Sequence, residues 1–150
     1  MACQAHAFGI RDDQLLASIL LHDVVEQSEG KIKVMALPFS DEVKELVRLV
    51  TFTVSTGKTQ EEAEDEYYRK ISGNKKACVI KALDRCSNVS TMAGSFNIQR
   101  MKKYILETER YIIPMLEKLR RNYPEYSDLA FLVKYQITSI LETVKYLIIK

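Results

Sequence analysis

A His-Asp pair at residues 22 and 23 interrupts an apolar run, with Ile-Leu-Leu directly before it and Val-Val directly after it. Burying a carboxylate that has neither a partner nor a bound cation costs several kcal/mol. Any fold that buries this run must therefore bring a compensating group to Asp23. This requirement restricts the chain more than any other local feature of its sequence.

Helix signals recur along the whole chain, and no convincing alternating strand pattern appears. Polar residues that can cap a helix precede four segments with apolar residues at helical spacing. These caps are Asp12 or Asp13, Ser40, Thr59 with Glu62 in a capping box, and Asn74. Two long helices are expected to follow, from about Ile98 to Arg121 and, after Pro124, from about Glu125 to Ile149. The pattern predicts an all-α fold.

The breaks between the predicted helices carry turn residues. Gly57, Gly73 and Gly94 are expected to lie in these breaks. The β-prone run "VTFTVST" at 50–56 is interpreted as a helix end followed by a loop.

Length and composition favour one domain, residues 1–150, with a real core. The 22 Lys and Arg residues against 20 Asp and Glu residues, with both signs interleaved, argue against nucleic-acid binding driven by bulk charge. Three cysteines without CxxC spacing fit a reduced chain better than a disulfide framework. The absence of a leader or a membrane-length apolar stretch leads us to expect a soluble, cytoplasmic protein with no membrane partner.

The His-Asp pair belongs to a compact polar patch if its segment is one helix. Residues four apart stack on one helix face, so His22 should lie over Glu26 and Asp23 over Gln27. Asp23 and Glu26 are also adjacent at this spacing. A second reading has Glu26 simply solvated as the helix frays.

A later helix offers a second polar stripe. Asp84, Asn88 and Thr91 follow the i, i+4, i+7 spacing. If the two polar sets face each other, one imidazole and two carboxylates form a plausible ligand set for Mn²⁺, Fe²⁺ or Zn²⁺. The stripe can equally be a structural hydrogen-bond network, or Asp84 can pair with Arg85 or Lys81 of a neighbour.

Three segments together resemble the HD-domain phosphohydrolases of the RelA/SpoT type, including the small alarmone hydrolases: "LLHDVVEQSE", then "VIKALDRCSNVSTM", then "ETERYIIPMLEKL". The resemblance implies an HD-domain helical bundle that uses a metal, commonly Mn²⁺, to remove the 3′-pyrophosphate from ppGpp-like nucleotides. It implies His22, Asp23 and Asp84 as metal ligands. It places Asn88 and Thr91 at the nucleotide substrate.

The chain departs from this family in two ways. The first metal ligand of the family is a His, usually before Pro, that would precede Met1; His6 does not match it and is interpreted as a packing or surface histidine. We therefore expect either a truncated piece lacking the N-terminal helices of the family or a paralogue that has lost the site. Loss of those helices would expose apolar surface around Ala7, Phe8, Ile10, Leu16 and Leu20, so we expect either a homodimer through that face or a shift of the N-terminal residues to cover it.

The second departure is at the catalytic carboxylates. The family carries Glu-Asp after the HD pair, where this chain has Glu26 and Gln27. An amide can orient a water but cannot take its proton, so Glu26 is expected to be the remaining base and activity to be weak or absent. The alternatives are an HD phosphohydrolase acting on another nucleotide or phosphoester, and a non-catalytic HD binding module.

Overall fold

The computed structural model of the protein describes residues 1–149, and side chains as far as residue 148. Throughout these residues the regular structure is helical and includes no strand, which confirms the all-α prediction. The segment 50–56 is a helix end and a loop, as expected. The chain forms two compact units, Met1–Lys81 and the residues from Ala82 onward. No helix within residues 1–149 has both the length and the apolar content that a bilayer span requires.

The first unit is built from short helices. In chain order they are α1 (Ala2–Ala7), α2 (Asp13–Leu21), α3 (Val24–Gln27), a 3-10 turn (Val34–Ala36), α4 (Asp41–Val50), α5 (Gln60–Ser72) and the start of α6 (Lys75–Ser95). Helix α2 packs on α4. Val43 and Val47 of α4 are buried in a cluster that Leu21, Val24 and Val25 help to cover. The apolar residues on both sides of the His-Asp pair therefore face the core of this unit.

The second unit continues α6 and adds further helical segments. They are α7 (Ile98–Glu107), a π turn (Thr108–Ile112), α8 (Ile113–Asn122), a 3-10 turn (Pro124–Tyr126) and α9 (Ser127–Ile149). Glu117 pairs with Lys134 and Glu109 pairs with Lys145. The earlier residue, Glu109, thus contacts the later position on α9, and the later residue, Glu117, contacts the earlier position. Helix α9 therefore runs antiparallel to α8.

The predicted helix caps are confirmed. Asp12 accepts hydrogen bonds from the backbone N–H groups of Gln14 and Leu15. Thr59 and Glu62 form the complete capping box. The remaining two caps are Ser40, which accepts from the N–H of Val43, and Asn74, which accepts from those of Lys76 and Ala77.

Three local predictions are wrong. The segment carrying the His-Asp pair is not one helix, because α2 ends at Leu21 and α3 begins at Val24. The helix expected over 98–121 contains the π turn. Pro114 accounts for this, since it has no N–H for the carbonyl of Arg110 and its ring would collide with that carbonyl. Gly94 lies inside α6, where one glycine costs about 1 kcal/mol without ending the helix.

The apolar residues near the N-terminus differ in exposure. Ile10 is only 6% exposed, so the expectation that it is uncovered is wrong. Leu20, by contrast, is 70% exposed. His6 is exposed, as expected of a surface histidine.

Candidate functional site

The His-Asp pair occupies the break between α2 and α3. His22 follows the last residue of α2 with a helical backbone, whereas Asp23 leaves the helix at φ −114° and ψ 7°. The side chains of His22 and Asp23 are 18% and 35% exposed. The pair therefore lies at the edge of an apolar core, with the Asp23 carboxylate half-buried.

A backbone carbonyl orients the imidazole of His22. Its Nδ1 lies 2.8 Å from the carbonyl oxygen of Ile19. In the tautomer that donates this hydrogen bond, Nε2 carries the lone pair, which is the arrangement of histidines that bind metals. Nε2 lies 3.9 Å from Oδ2 of Asp23. Since metal bonds to imidazole nitrogen and carboxylate oxygen are about 2.0–2.2 Å long, two ligands of one tetrahedral ion lie roughly 3.4 Å apart, so His22 and Asp23 must close by about half an ångström to share an ion.

Gln27 supplies a partner for Asp23. Its Nε2 donates a hydrogen bond to Oδ2 of Asp23, so the predicted i, i+4 neighbours do meet. The amide of Gln27 is thus one compensating group for the carboxylate of Asp23. A carboxylate at the same position would have no hydrogen to donate.

Glu26 makes a contact that its sequence position does not predict. Oε1 of Glu26 accepts a hydrogen bond of 2.7 Å from the backbone N–H of Phe52. This bond ties α3 to the loop that follows α4. A cavity of about 280 Å³ lies beside the loop, and Thr51, Thr53 and Lys70 are among its lining residues. Glu26, the expected base, is therefore an exposed carboxylate that also accepts a hydrogen bond from the loop.

The second polar stripe lies on α6. Nδ2 of Asn88 donates to Oδ1 of Asp84 over 2.9 Å, and both residues are half-buried. Thr91 is exposed, and its hydroxyl lies 3.4 Å from the carbonyl oxygens of Ser87 and Asn88. Asp84 and Asn88 are thus a bonded pair, as the spacing predicts, while the hydroxyl of Thr91 is directed to its own helix.

Arg85, next to Asp84, is the buried charged residue that the sequence analysis missed. It is 2% exposed, and its Nη2 lies 2.6 Å from Oε1 of Glu107. Its guanidinium lies 3.8 Å from the ring centre of Tyr104, and its Nη1 is 3.3 Å from the hydroxyl of Thr108. The signal in the sequence is a single Arg between the apolar residues Leu83 and Cys86. Its partners are more than eighteen residues away, so spacing could not identify them.

Taken over residues 1–149, no group of three or more His, Cys, Asp and Glu side chains is arranged to hold a metal ion. His22 and Asp23 supply two neighbouring donor atoms, and Asp84 as a further ligand stays a prediction. In comparisons with known proteins, the chain matches no protein-family model and no curated protein.

Proposed function

We propose that this protein is a divalent-metal-dependent phosphohydrolase of the HD type, acting on nucleotides of the guanosine 3′,5′-bis(diphosphate) class. The observation that carries the proposal is the orientation of His22. Its Nδ1 is held at the Ile19 carbonyl, and its Nε2 lies 3.9 Å from Oδ2 of Asp23. A neutral imidazole and a carboxylate in this arrangement are suited to a divalent transition ion.

The chain's own residues take separate roles in this proposal. His22 and Asp23 hold the ion, Mn²⁺ being the family's usual choice, and the resemblance adds Asp84 as a ligand. A bound divalent ion would supply a water of lowered pKa and offset the charge of the phosphate. Asn88 and Thr91 are assigned to the nucleotide by the same resemblance.

Glu26 is the residue available to take a proton from the attacking water. Its Oε1 accepts from the N–H of Phe52, which leaves the second carboxylate oxygen as the atom to act as base. Gln27 can only orient a water, because an amide does not accept a proton at neutral pH. We therefore expect low turnover.

A non-catalytic binding module is the second candidate function, and a specific observation favours it. Gln27 donates to Asp23, and Glu26 accepts from Phe52, so both residues at the catalytic carboxylate positions are engaged in structural hydrogen bonds. Such a module would keep the fold and the metal while lacking hydrolysis. An HD phosphohydrolase acting on another phosphoester is separated from the first proposal by the choice of substrates.

Metal binding can be tested directly because the chain has only two histidines. Sub-stoichiometric Mn²⁺ should broaden the imidazole NMR signals of His22 and leave those of exposed His6 sharp. Asp23→Asn should weaken this effect, whereas Asp13→Asn, at an exposed carboxylate in the first turn of α2, should not. Equal broadening of both histidines, or none at either, would reject the metal site.

Hydrolysis is then measured with and without Mn²⁺ on ppGpp, deoxynucleoside triphosphates and a simple phosphodiester. The proposal expects slow release of pyrophosphate from ppGpp that requires Mn²⁺ and is lost in Asp23→Asn but kept in Asp13→Asn. Turnover of another substrate instead would favour the broader phosphohydrolase. Selective Mn²⁺ binding without turnover of any substrate would favour the binding module.

A further inference from the structure

We propose that the cavity between α8 and the start of α9 binds a phosphate-bearing anion. The cavity has a volume of about 380 Å³. It lies wholly within the second unit and uses none of the residues assigned to hydrolysis. The proposal therefore stands whether or not the protein is a hydrolase.

Cationic side chains dominate the charge of this cavity. Arg120 and Arg121 of α8 and Lys134 of α9 line it, together with a single carboxylate, Glu117. Lys134 and Glu117 neutralise each other, since Nζ and Oε1 are 2.6 Å apart. The hydrogen bond from Lys134 lowers the pKa of Glu117, with a smaller contribution from Arg121, so the carboxylate stays charged and stays paired.

The two arginines leave the cavity with a net positive charge. Within the described part of the chain, neither Arg120 nor Arg121 forms a salt bridge to a carboxylate. Two guanidinium groups thus border one cavity with their hydrogen-bond donors available. Planar guanidinium groups bind phosphate oxygens in pairs, which makes a phosphate the best-matched ligand.

An aromatic ring holds one of these groups in place. The guanidinium of Arg120 lies 4.8 Å from the ring centre of Phe131, which in turn stacks near Tyr135 at 6.4 Å. Stacking restricts the arginine without using its N–H groups, so less freedom is lost when an anion binds. Ser127 adds a hydroxyl to the cavity lining, and Ala130 leaves room beside it.

The test is a titration of the full-length chain with inorganic phosphate, pyrophosphate and GDP at low and moderate salt, followed by calorimetry and amide NMR. We expect saturable binding that perturbs signals of α8 and α9 and weakens with salt. Comparable affinity for pyrophosphate and GDP would identify the phosphate group alone as the ligand. Stronger GDP binding would show that a nucleoside adds contacts.

Paired variants separate a site from bulk charge. Arg120→Gln/Arg121→Gln should bind about 2- to 30-fold more weakly, because each exposed charge pair contributes about 0.2–1 kcal/mol. Lys31→Gln/Lys33→Gln removes the same charge at exposed residues of the first unit and should bind as the parent does. Arg120→Lys keeps the charge and should recover only part of the affinity. No saturable binding, or an equal loss in the Lys31/Lys33 variant, would overturn the proposal.

Discussion

Gln27 shows how one residue can serve structure at the expense of chemistry. Its amide donates to the Asp23 carboxylate, which is a candidate metal ligand. The bond satisfies an acceptor beside an apolar core, and it places a group that cannot take a proton where the resembled family has a carboxylate. The sequence predicts the adjacency because the two residues are four apart, and the family resemblance implies the loss of the base.

We predict that Gln27→Asp raises Mn²⁺-dependent turnover of ppGpp, within the ~10²–10⁴-fold range of general-base contributions. The same change should lower the free energy of unfolding of the metal-free protein by about 0.5–1.5 kcal/mol, because the hydrogen bond is lost. Like charge at i, i+4 adds about 0.2–0.5 kcal/mol to that loss. Steady-state kinetics and urea unfolding by circular dichroism measure the two effects.

Gln27→Leu is the matched control, since it removes the donor without adding a base. It should destabilise the metal-free protein by a similar amount and should not raise turnover. A rise in turnover with leucine, or none with aspartate, would show that this position has no part in proton transfer.

Asp12 combines two local interactions at the start of α2. Its carboxylate caps the helix and also pairs with Lys76 at 2.5 Å. The hydrogen bond from Lys76 is the main reason that the pKa of Asp12 is lowered, and the same contact helps to raise the pKa of Lys76. Cap and ion pair can be separated because asparagine caps helices as well as aspartate does.

We predict that Asp12→Ala lowers the free energy of unfolding by about 1 kcal/mol at neutral pH, chiefly through the lost cap. Asp12→Asn should lose much less, because an exposed ion pair contributes little. Since the pKa of Asp12 is lowered in the folded state, its contribution is present above pH 4 and disappears as the pH falls below that value. Urea unfolding at pH 7 and pH 3 tests this: Asp12→Asn should lose slightly less stability than the parent on acidification, and a larger loss than that of the parent would contradict the assignment.

At the scale of helices, start signals were predictable and interruptions were not. A capping side chain and the N–H that it binds are two or three residues apart, so Asp12, Ser40 and Thr59 reveal their helices locally. No comparable local signal in the sequence indicates the break after Leu21. Leu21, Val24 and Val25 all contact the α4 cluster, so the apolar spacing continues across the break. Periodicity reports which face is buried and does not report whether the backbone is continuous.

The π turn after α7 contributes buried polar contacts. Thr108, its first residue, donates to the carbonyl of Tyr104 over 2.6 Å and lies 3.3 Å from Nη1 of Arg85. Glu107, directly before the turn, binds Arg85. The turn thus brings two partners to the arginine of α6. Removing one partner of such a buried ion pair costs much stability, whereas replacing both partners by apolar residues costs little.

We predict that Glu107→Leu lowers the free energy of unfolding by about 3 kcal/mol, because the guanidinium of Arg85 stays buried without its carboxylate. Arg85→Met should cost less, since Glu107 is 19% exposed and can regain water. The double variant Arg85→Met/Glu107→Leu should recover most of the loss. Urea unfolding of all four proteins gives the coupling energy, and additive losses in the double variant would refute a buried ion pair.

Across the whole molecule, the contacts that define the candidate sites join residues distant in sequence. Glu26 meets Phe52, and Arg85 meets Glu107, with separations of 26 and 22 residues. Local spacing predicts Asp23 with Gln27 and Asp84 with Asn88, because each pair is one helical turn apart. It cannot predict which loop or helix approaches from elsewhere, since packing of the apolar faces decides that.

Charge across the molecule is organised into surface ion pairs that depress carboxylate pKa values in both units. Ion pairs lower the pKa of Asp12, Glu45, Glu66 and Glu117, whereas the backbone N–H of Thr59 in the capping box is the main cause of the lowered pKa of Glu62. Hydrogen bonds from Lys58 and Lys70 lower the pKa of Glu66 from 4.5 to about 2. Each such group binds its proton more readily in the unfolded chain, so unfolding takes up protons in acid.

We predict that the free energy of unfolding falls steadily between about pH 5 and pH 2. Glu66→Gln should reduce the slope of this fall by no more than the uptake of one proton contributes. The sign follows from the depressed pKa: the stabilisation by Glu66 is complete above its ordinary pKa of 4.5 and is lost as the pH falls towards about 2.

Since the pairs are exposed, 1 M salt should flatten the parent curve in the same way. Glu29→Gln removes an exposed carboxylate outside these pairs and should keep the parent slope. Urea unfolding followed by circular dichroism at half-unit pH intervals measures the slopes, and a Glu66→Gln curve parallel to the parent would show that these ion pairs do not govern acid stability.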